Sequence, residues 1–449
     1  MPSVPKRLNA LIIAYYFPPD GAIGGVRPYQ FARHFPEFGV DPWILTVEPE
    51  HAEQPDAAFQ PRGVPERHLL RTPVETTFRD RVLELWRRGK RANGAEAPAS
   101  PAAGAPAQAS PRRLRQAREW VLSWLAYTDP MIGWYRPALR EAEEALRRVR
   151  FDVLVSTSPP RVTALVAREL SRRHRVPWVM DVRDPWQLKS WEAQGASSIV
   201  AHHKERLFSQ CVDTAQLIVH NTERLRQDTC ALKPDAAQKT YCVPNGFEPE
   251  WTNGSDSRQR VFNVGYYGNI MGRRSCTAFL DGLRYWLDER GWRTPRVAVR
   301  FVGTGFENAV EAIAARELQQ IVSVHPPVPR TEVRHLIDDD FVLLSFANEQ
   351  PLQVPGKTYD YLATGRRILA VTEHDGATAD VLGPVEGCTV AEKPHEVASA
   401  LETFYRDFEH GASPRVERSA LLADANYEHR AEQFAGLLHS IVGEQMASA

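Results

Sequence analysis

The stretch Val354-Pro355-Gly356-Lys357-Thr358-Tyr359-Asp360-Tyr361-Leu362-Ala363-Thr364-Gly365 places a turn, a cation, a carboxylate and a helix stop within twelve residues. Pro355-Gly356 breaks the chain after an apolar run, Lys357 falls in the first turn of a short helix, and Gly365 ends it. A helix N-terminus attracts phosphate through its unsatisfied N–H groups and its dipole, and a lysine beside it adds a point charge. Asp360 follows Lys357 by three positions, so the two share a helical face. A carboxylate there accepts ribose hydroxyls while the cation holds the phosphates, which reads as a site for a sugar nucleotide. The same residues also fit an ordinary strand-turn-helix with a surface lysine and aspartate.

Outward from that segment, short apolar runs alternate with helix-patterned stretches, which predicts an α/β fold with parallel sheets and crossover helices. Strands are expected at Leu11 to Phe17, Asp41 to Val47, Val153 to Ser156, Trp178 to Val182 and Gln216 to His220. A second set follows the Asn245-Gly246 turn: Val261 to Tyr267, Val297 to Val302, Ile321 to His325, Phe341 to Phe346, Ile368 to Val371 and Gly387 to Val390. A boundary between two domains is expected at that turn and the polar stretch Thr252 to Arg260.

Residues 95–111 are nearly all Ala, Pro, Ser, Gly and Gln, a composition that buries too little apolar surface to order itself, and read as a flexible loop. Their flanks, 79–91 and 112–127, are basic and carry Trp86, Trp120 and Trp124 at helical spacing. Such helices fit an anionic membrane surface, arginines to the headgroups and indoles in the interface. They also fit two helices packed on the first domain with solvated arginines.

At 449 residues, 43% hydrophobic and 25% charged, the chain is long enough for two large globular domains. A formal net charge of −1 gives no global attraction to nucleic acid, so none is expected as a partner. The five cysteines form no C-x-x-C pair and have no histidines at metal spacing, which suits a reducing cytoplasm and argues against a structural zinc. The first apolar run is cut by Pro18-Pro19-Asp20, far short of a cleavable or membrane-spanning segment.

Three further constellations carry chemistry. After the first strand, Pro18-Pro19-Asp20-Gly21-Ala22-Ile23-Gly24-Gly25-Val26-Arg27 lets backbone approach a ligand at the carboxyl end of a parallel sheet, with Arg27 as a nearby cation. It lacks the G-x-G-x-x-G spacing of a dinucleotide site. Next, Ser158-Pro159-Pro160 and Asp181-Val182-Arg183-Asp184-Pro185-Trp186 end apolar strands in polar loops, so Ser158, Asp181, Arg183 and Asp184 are expected in one cleft. Arg183 and Asp184 also fit a mutual salt bridge that only shapes the loop. Finally, Gly268-Asn269-Ile270-Met271-Gly272-Arg273-Arg274 follows a strand with paired guanidinium groups, a geometry suited to pyrophosphate, and also compatible with an exposed Arg-Arg pair. Gly303-Thr304-Gly305 ends another strand. The triplet Asp338-Asp339-Asp340 reads as a solvated helix end rather than a metal-binding Asp-x-Asp.

In this order along the chain, the glycine loop, the Asp181 to Trp186 segment, the Asn245-Gly246 turn and the Lys357 helix resemble the retaining glycosyltransferases of the GT-B fold, specifically the family 4-like group of bacterial surface polysaccharide assembly. The resemblance implies two Rossmann-like domains facing a central cleft. Residues 1–250 would be the acceptor-side domain with a flexible insertion at about 92–111, 251–425 the nucleotide-sugar domain, and 426–449 a helix crossing back to the first. It implies a hexosyltransferase with no cofactor besides a nucleotide-sugar co-substrate of open base, no metal, and a glycan or lipid-linked acceptor. The expected location is the cytoplasm, with the basic flanks offering a peripheral place on the inner membrane face.

Carried over residue by residue, the donor grip would comprise Gly24, Gly25, Arg27, Gly268, Arg273, Arg274, Gly303, Lys357 and Asp360, and the catalytic side Arg183, Asp184 and Glu349. The chain departs from the family in three ways. It lacks the usual histidine near Arg183 and the usual lysine shortly after Arg273, whose place Arg274 or Lys357 would take. Eight positions before Asp360, where the family has an acid, it has Leu352, leaving Glu349, Gln350 and Gln353 as the nearest polar groups. A nucleotide-sugar epimerase of the same fold and a catalytically silent scaffold remain as alternatives.

Overall fold

The computed structural model describes residues 7–77, 80–81, 129–186, 198–252, 260–270, 274–291 and 296–448. The flexible loop and basic helices expected at 79–127 lie almost wholly outside them, as does Arg273. The chain divides into two compact units, one of Met1–Val219, Cys230–Tyr241 and Phe434–Ala449, the other of His220–Thr229 and Cys242–Gln433.

The first seven strands are β1 (Leu8–Ile13), β2 (Val40–Val47), β3 (Leu69–Thr72), β4 (Val153–Ser158), β5 (Trp178–Val182), β6 (Leu217–His220) and β7 (Thr240–Cys242). They form one sheet in the order β3-β2-β1-β4-β5-β6-β7. The second sheet holds β8 (Phe262–Tyr267), β9 (Val297–Val302), β10 (Val322–His325), β11 (Val342–Phe346), β12 (Arg367–Val371) and β13 (Cys388–Ala391), in the order β10-β9-β8-β11-β12-β13. The pairings from β3 through β5 and all those of the second sheet run parallel. Strands of a parallel sheet are covered on both faces, which is why β4, β5 and β11 are continuous runs with every residue buried. Helices bind the sheets through one apolar stripe; in Tyr135–Arg148 it is Pro137, Ala138, Leu139, Ala142 and Ala145, while Glu144 and Arg148 pair on the wet face.

The first strand ends at Ile13, four residues before the expected Phe17. The apolar run continues because Tyr15 packs edge-on to Trp134 and Phe17 to Tyr29, burying a loop rather than a strand. Strands β3 and β7 were not expected; both are short and partly polar, with no apolar run to mark them. Pro42 sits within β2 because β3 pairs only with Ile44 to Val47, so its missing N–H falls outside that ladder. The second sheet's core is aromatic, with Tyr266 4.7 Å from Phe346 and Phe262 5.3 Å from Tyr405. Each such ring removed from water contributes roughly 1.5–3 kcal/mol.

Candidate functional site

In the second unit, the carboxyl ends of β8 and β9 meet at two glycines. Gly268 donates its N–H to Val302 O at 2.8 Å, and Ile270 ties the same loop to Thr304 O at 3.0 Å. Gly268 and Gly303 have φ of 141° and 149°, and a Cβ on Gly303 would stand 2.0 Å from Gly268 O. A side chain on Gly268 would meet the Lys357 ammonium at 2.9 Å. The strand ends are therefore bare backbone beside a cation.

Lys357 opens the helix Lys357–Ala363, which Gly365 stops at φ 72°. Its Nζ donates to Tyr267 O at 3.1 Å and lies 3.4 Å from the centre of the Tyr266 ring. Burial pushes its pKa well below the usual lysine value, and the Arg274 guanidinium lowers it further. Arg274 donates through Nε and Nη2 to Gln350 Oε1, at 3.2 and 3.1 Å. Gln350 is a neutral acceptor, so Arg274 is fixed without its charge being cancelled. Among the described residues, no carboxylate lies within ion-pair distance of Lys357 or Arg274. Two basic groups held together in this way favour an anion between or beside them, which would stabilise both in their charged forms.

Asp360 is turned to a different partner. Its Oδ2 accepts from Arg330 Nη2 at 3.0 Å, and the same nitrogen lies 3.1 Å from Glu248 Oε1. Burial pushes the Asp360 carboxyl up to about 7, with Arg330 lowering it and Glu248 raising it. Glu349 is exposed on the loop between β11 and the Lys357 helix, in a left-handed conformation (φ 59°), and its N–H donates to Glu373 Oε1 at 2.5 Å.

Asp340 corrects the reading of its triplet as a solvated helix end. The helix Arg330–Asp338 does finish there, but Asp340 is fully buried, 2.7 Å from Arg300 Nη2 and accepting from Tyr267 OH at 2.5 Å. Gly265 makes room for it, since a Cβ there would fall 2.0 Å from Asp340 Oδ2. Burial raises the carboxyl to about 6. Through Tyr267, whose carbonyl accepts from Lys357, this network holds the donor-side cation from beneath.

In the first unit, Gly24 and Gly25 form a single turn ahead of the helix Val26–His34. A Cβ on Gly24 would stand 2.7 Å from the Tyr16 ring. Arg183 donates to Gly24 O at 2.7 Å and Pro159 O at 2.5 Å, so it ties together the loops after β1, β4 and β5. Asp184 follows it, half-buried. Arg27, read as a cation near donor phosphate, points inward instead. It is 2% exposed and its Nε and Nη2 bind Asp181 at 2.9 to 3.2 Å, with Thr157 Oγ1 donating to the same carboxylate.

The whole chain was compared with known proteins. No protein-family model matches it, and no curated protein does. Solved structures do. A sucrose-phosphate synthase from Thermosynechococcus elongatus is 10% identical, with 98% of each chain covered and a TM-score of 0.58. A glycosyltransferase from Rickettsia africae is 11% identical, covering 97% of this chain and 99% of that one, TM-score 0.55. Trehalose-6-phosphate from Escherichia coli, bound with UDP-2-fluoro glucose, is 11% identical with 96% and 99% covered, TM-score 0.62. The fold is that of the GT-B glycosyltransferases.

On that fold the structure gathers Gly268, Gly303, Arg274 and Lys357 at one place, and Gly24, Gly25 and Arg183 at another. Tyr266, Tyr267, Glu248 and Arg330 were not foreseen as parts of a site. The two tyrosines stand inside the motif that ends in Gly268, whereas nothing in the spacing of Glu248 or Arg330 marks them. Among the described residues no group of three or more His, Cys, Asp or Glu is arranged to hold a metal ion, and no helix is long and apolar enough to cross a membrane.

Proposed function

We propose that this chain is a glycosyltransferase, of the family 4-like kind, that moves a hexose from a nucleoside diphosphate to a glycan or lipid-linked acceptor with retention of configuration. The observation that carries the proposal is the Lys357–Arg274 pair, two basic groups with no carboxylate at ion-pair distance among the described residues, beside bare glycine strand ends. As the bond from the sugar to the diphosphate breaks, negative charge grows on the leaving oxygens, and fixed cations there stabilise the transition state more than the ground state. That role is the one a divalent ion fills elsewhere, so transfer is expected to persist in EDTA. Arg273 extends the grip by sequence position, and Asp360 takes the ribose. Gly24 and Gly25 offer backbone to the ligand, and Arg183 holds their loop in place. Asp184 and Glu349 are the carboxylates assigned to the reacting sugar and acceptor. Assembly of surface polysaccharide or glycolipid, on the cytoplasmic face of a membrane, is the setting this reading supports.

The test is a thermal-shift screen with UDP, GDP, ADP and dTDP, followed by calorimetry of the nucleotide that stabilises the fold. Lys357→Ala and Arg274→Ala should each weaken binding by roughly 1.5–3 kcal/mol, about ten- to hundredfold. Unchanged affinity in both variants would sink the donor site. Leu352, standing where the family carries an acid, favours a second reading as a silent scaffold. Nucleotide binding with neither transfer nor hydrolysis of the sugar would establish that one instead.

A further inference from the structure

We propose that Arg330 is a positioning residue for the donor's ribose: seated between Glu248 and Asp360, it keeps the Asp360 carboxylate ionised and fixed as an acceptor for the ribose hydroxyls. The inference rests on the donor reading above.

One guanidinium nitrogen serves both acids, 3.0 Å from Asp360 Oδ2 and 3.1 Å from Glu248 Oε1. Their side chains are only 13% and 19% exposed, against 40% for Arg330. Two carboxylates in so dry a place cannot both ionise without a cation; with one removed from water and crowded by the other, a proton returns to the weaker. A protonated Asp360 has one oxygen turned donor, which is wrong for hydroxyls that must themselves donate.

Arg330 is also placed against its own helix. It is the first residue of Arg330–Asp338, where the dipole disfavours a cation, and Pro329 before it fixes the entry of the chain. The two acids and the Trp251 ring, 5.4 Å below the guanidinium, offset that cost. Glu248 is set opposite by the Phe247 backbone, which pairs with Ala425 and Tyr427. Three other charged side chains stand near, each with a contact of its own. Arg334 lies over the same Trp251 at 5.9 Å, Lys357 one turn back is bound to Tyr267 O, and Arg418 is spent on the carbonyls of Leu362, Arg366 and Glu386. The raised Asp360 carboxyl, lowered by Arg330 and lifted by Glu248, agrees with this division of roles.

The experiment measures UDP-glucose and GDP-mannose binding by calorimetry from about pH 6 to about pH 9, a range in which their diphosphates do not titrate. Wild type should lose affinity on the acid side of neutrality. Arg330→Gln should move that loss upward by about one pH unit or more, Arg330→Lys should restore most of it, and Glu248→Gln should move it downward. Equal weakening at every pH in Arg330→Gln marks a merely structural role and overturns the proposal. A second readout needs no ligand: the 13C carboxyl titration of Asp360, assigned by its disappearance in Asp360→Asn. Its midpoint should rise in Arg330→Gln, and an unmoved midpoint also overturns the proposal. If neither sugar nucleotide binds wild type at any pH, the donor reading fails, and the carboxyl titration still decides whether Arg330 governs Asp360.

Discussion

The ammonium of Lys357 is held where its charge is least welcome until a ligand arrives. Burial and Arg274 push its pKa down together, and a diphosphate set against it reverses both influences. Binding should therefore raise the Lys357 pKa back toward its usual range. Calorimetry of UDP binding in phosphate and in Tris, stepped upward from about pH 7.5, should give enthalpies that differ in the sense of proton uptake between the free and the bound Lys357 titration, and the difference should vanish in Lys357→Met. Equal enthalpies in the two buffers for the wild type would remove this account. Asp360 strains in the opposite sense. Its folded-state carboxyl is raised to about 7 from an ordinary 3.8, so its stabilising share is complete below the unfolded value and lost as pH rises through the folded one. Asp360→Asn should then stabilise the protein by up to about 4 kcal/mol at pH 8 and by little near pH 4, as read from denaturant melts at the two pH values. At this scale the sequence showed which groups are present: Lys357, Gly268 and Gly303 stand out through turn and helix signals. It did not show that Gln350 would hold Arg274 or that Arg330 would reach Asp360, because those partners lie 76 and 30 positions away with no pattern joining them.

Between elements, the pair Arg27–Asp181 joins the helix Val26–His34 to β5, with both side chains 2% exposed. Removing one member leaves an unpaired charge in the interior. Arg27→Met should cost about 3–5 kcal/mol of stability, with donor affinity unchanged in the fraction that remains folded. A large loss of affinity at unchanged stability would instead return Arg27 to the donor phosphates, where the sequence had put it. The strands inside the sheets were legible because a covered parallel strand is rich in apolar residues: β4, β5, β9, β11 and β12 stand within a residue or two of their expected places. Edges were not legible. Strands β3 and β7 face one neighbour each, need no apolar run, and carry Arg71 and Tyr241 in their few residues. Asp340 escaped for a related reason: a triplet of acids before a strand reads as solvated, and only the space left by Gly265 and the reach of Arg300 show otherwise.

For the whole molecule, the basic aromatic stretches at 79–91 and 112–127 bear on where the acceptor is met. Each Lys or Arg near an anionic surface contributes about 1 kcal/mol, screened within a Debye length, so sedimentation with anionic liposomes should weaken steeply as salt rises. Changing Arg87, Arg88, Arg112, Arg113 and Arg115 to Gln should abolish it, and equal sedimentation of that variant would leave a water-soluble acceptor as the better choice. The chain itself passes between its two units four times, after Val219, Thr229, Tyr241 and Gln433. The first unit is thereby closed by its most distant piece: Phe434 packs edge-on to Phe31 and Phe35 at 5.0 and 5.9 Å, and His439 reaches Phe38 O across 401 positions. On a ribosome this unit is begun first and finished last. At roughly 5–20 residues per second, the Phe31 and Phe35 rings wait roughly 20–80 seconds for their cover while the whole second sheet is being made, a window in which a chaperone, rather than the protein's own helix, is what can shield them.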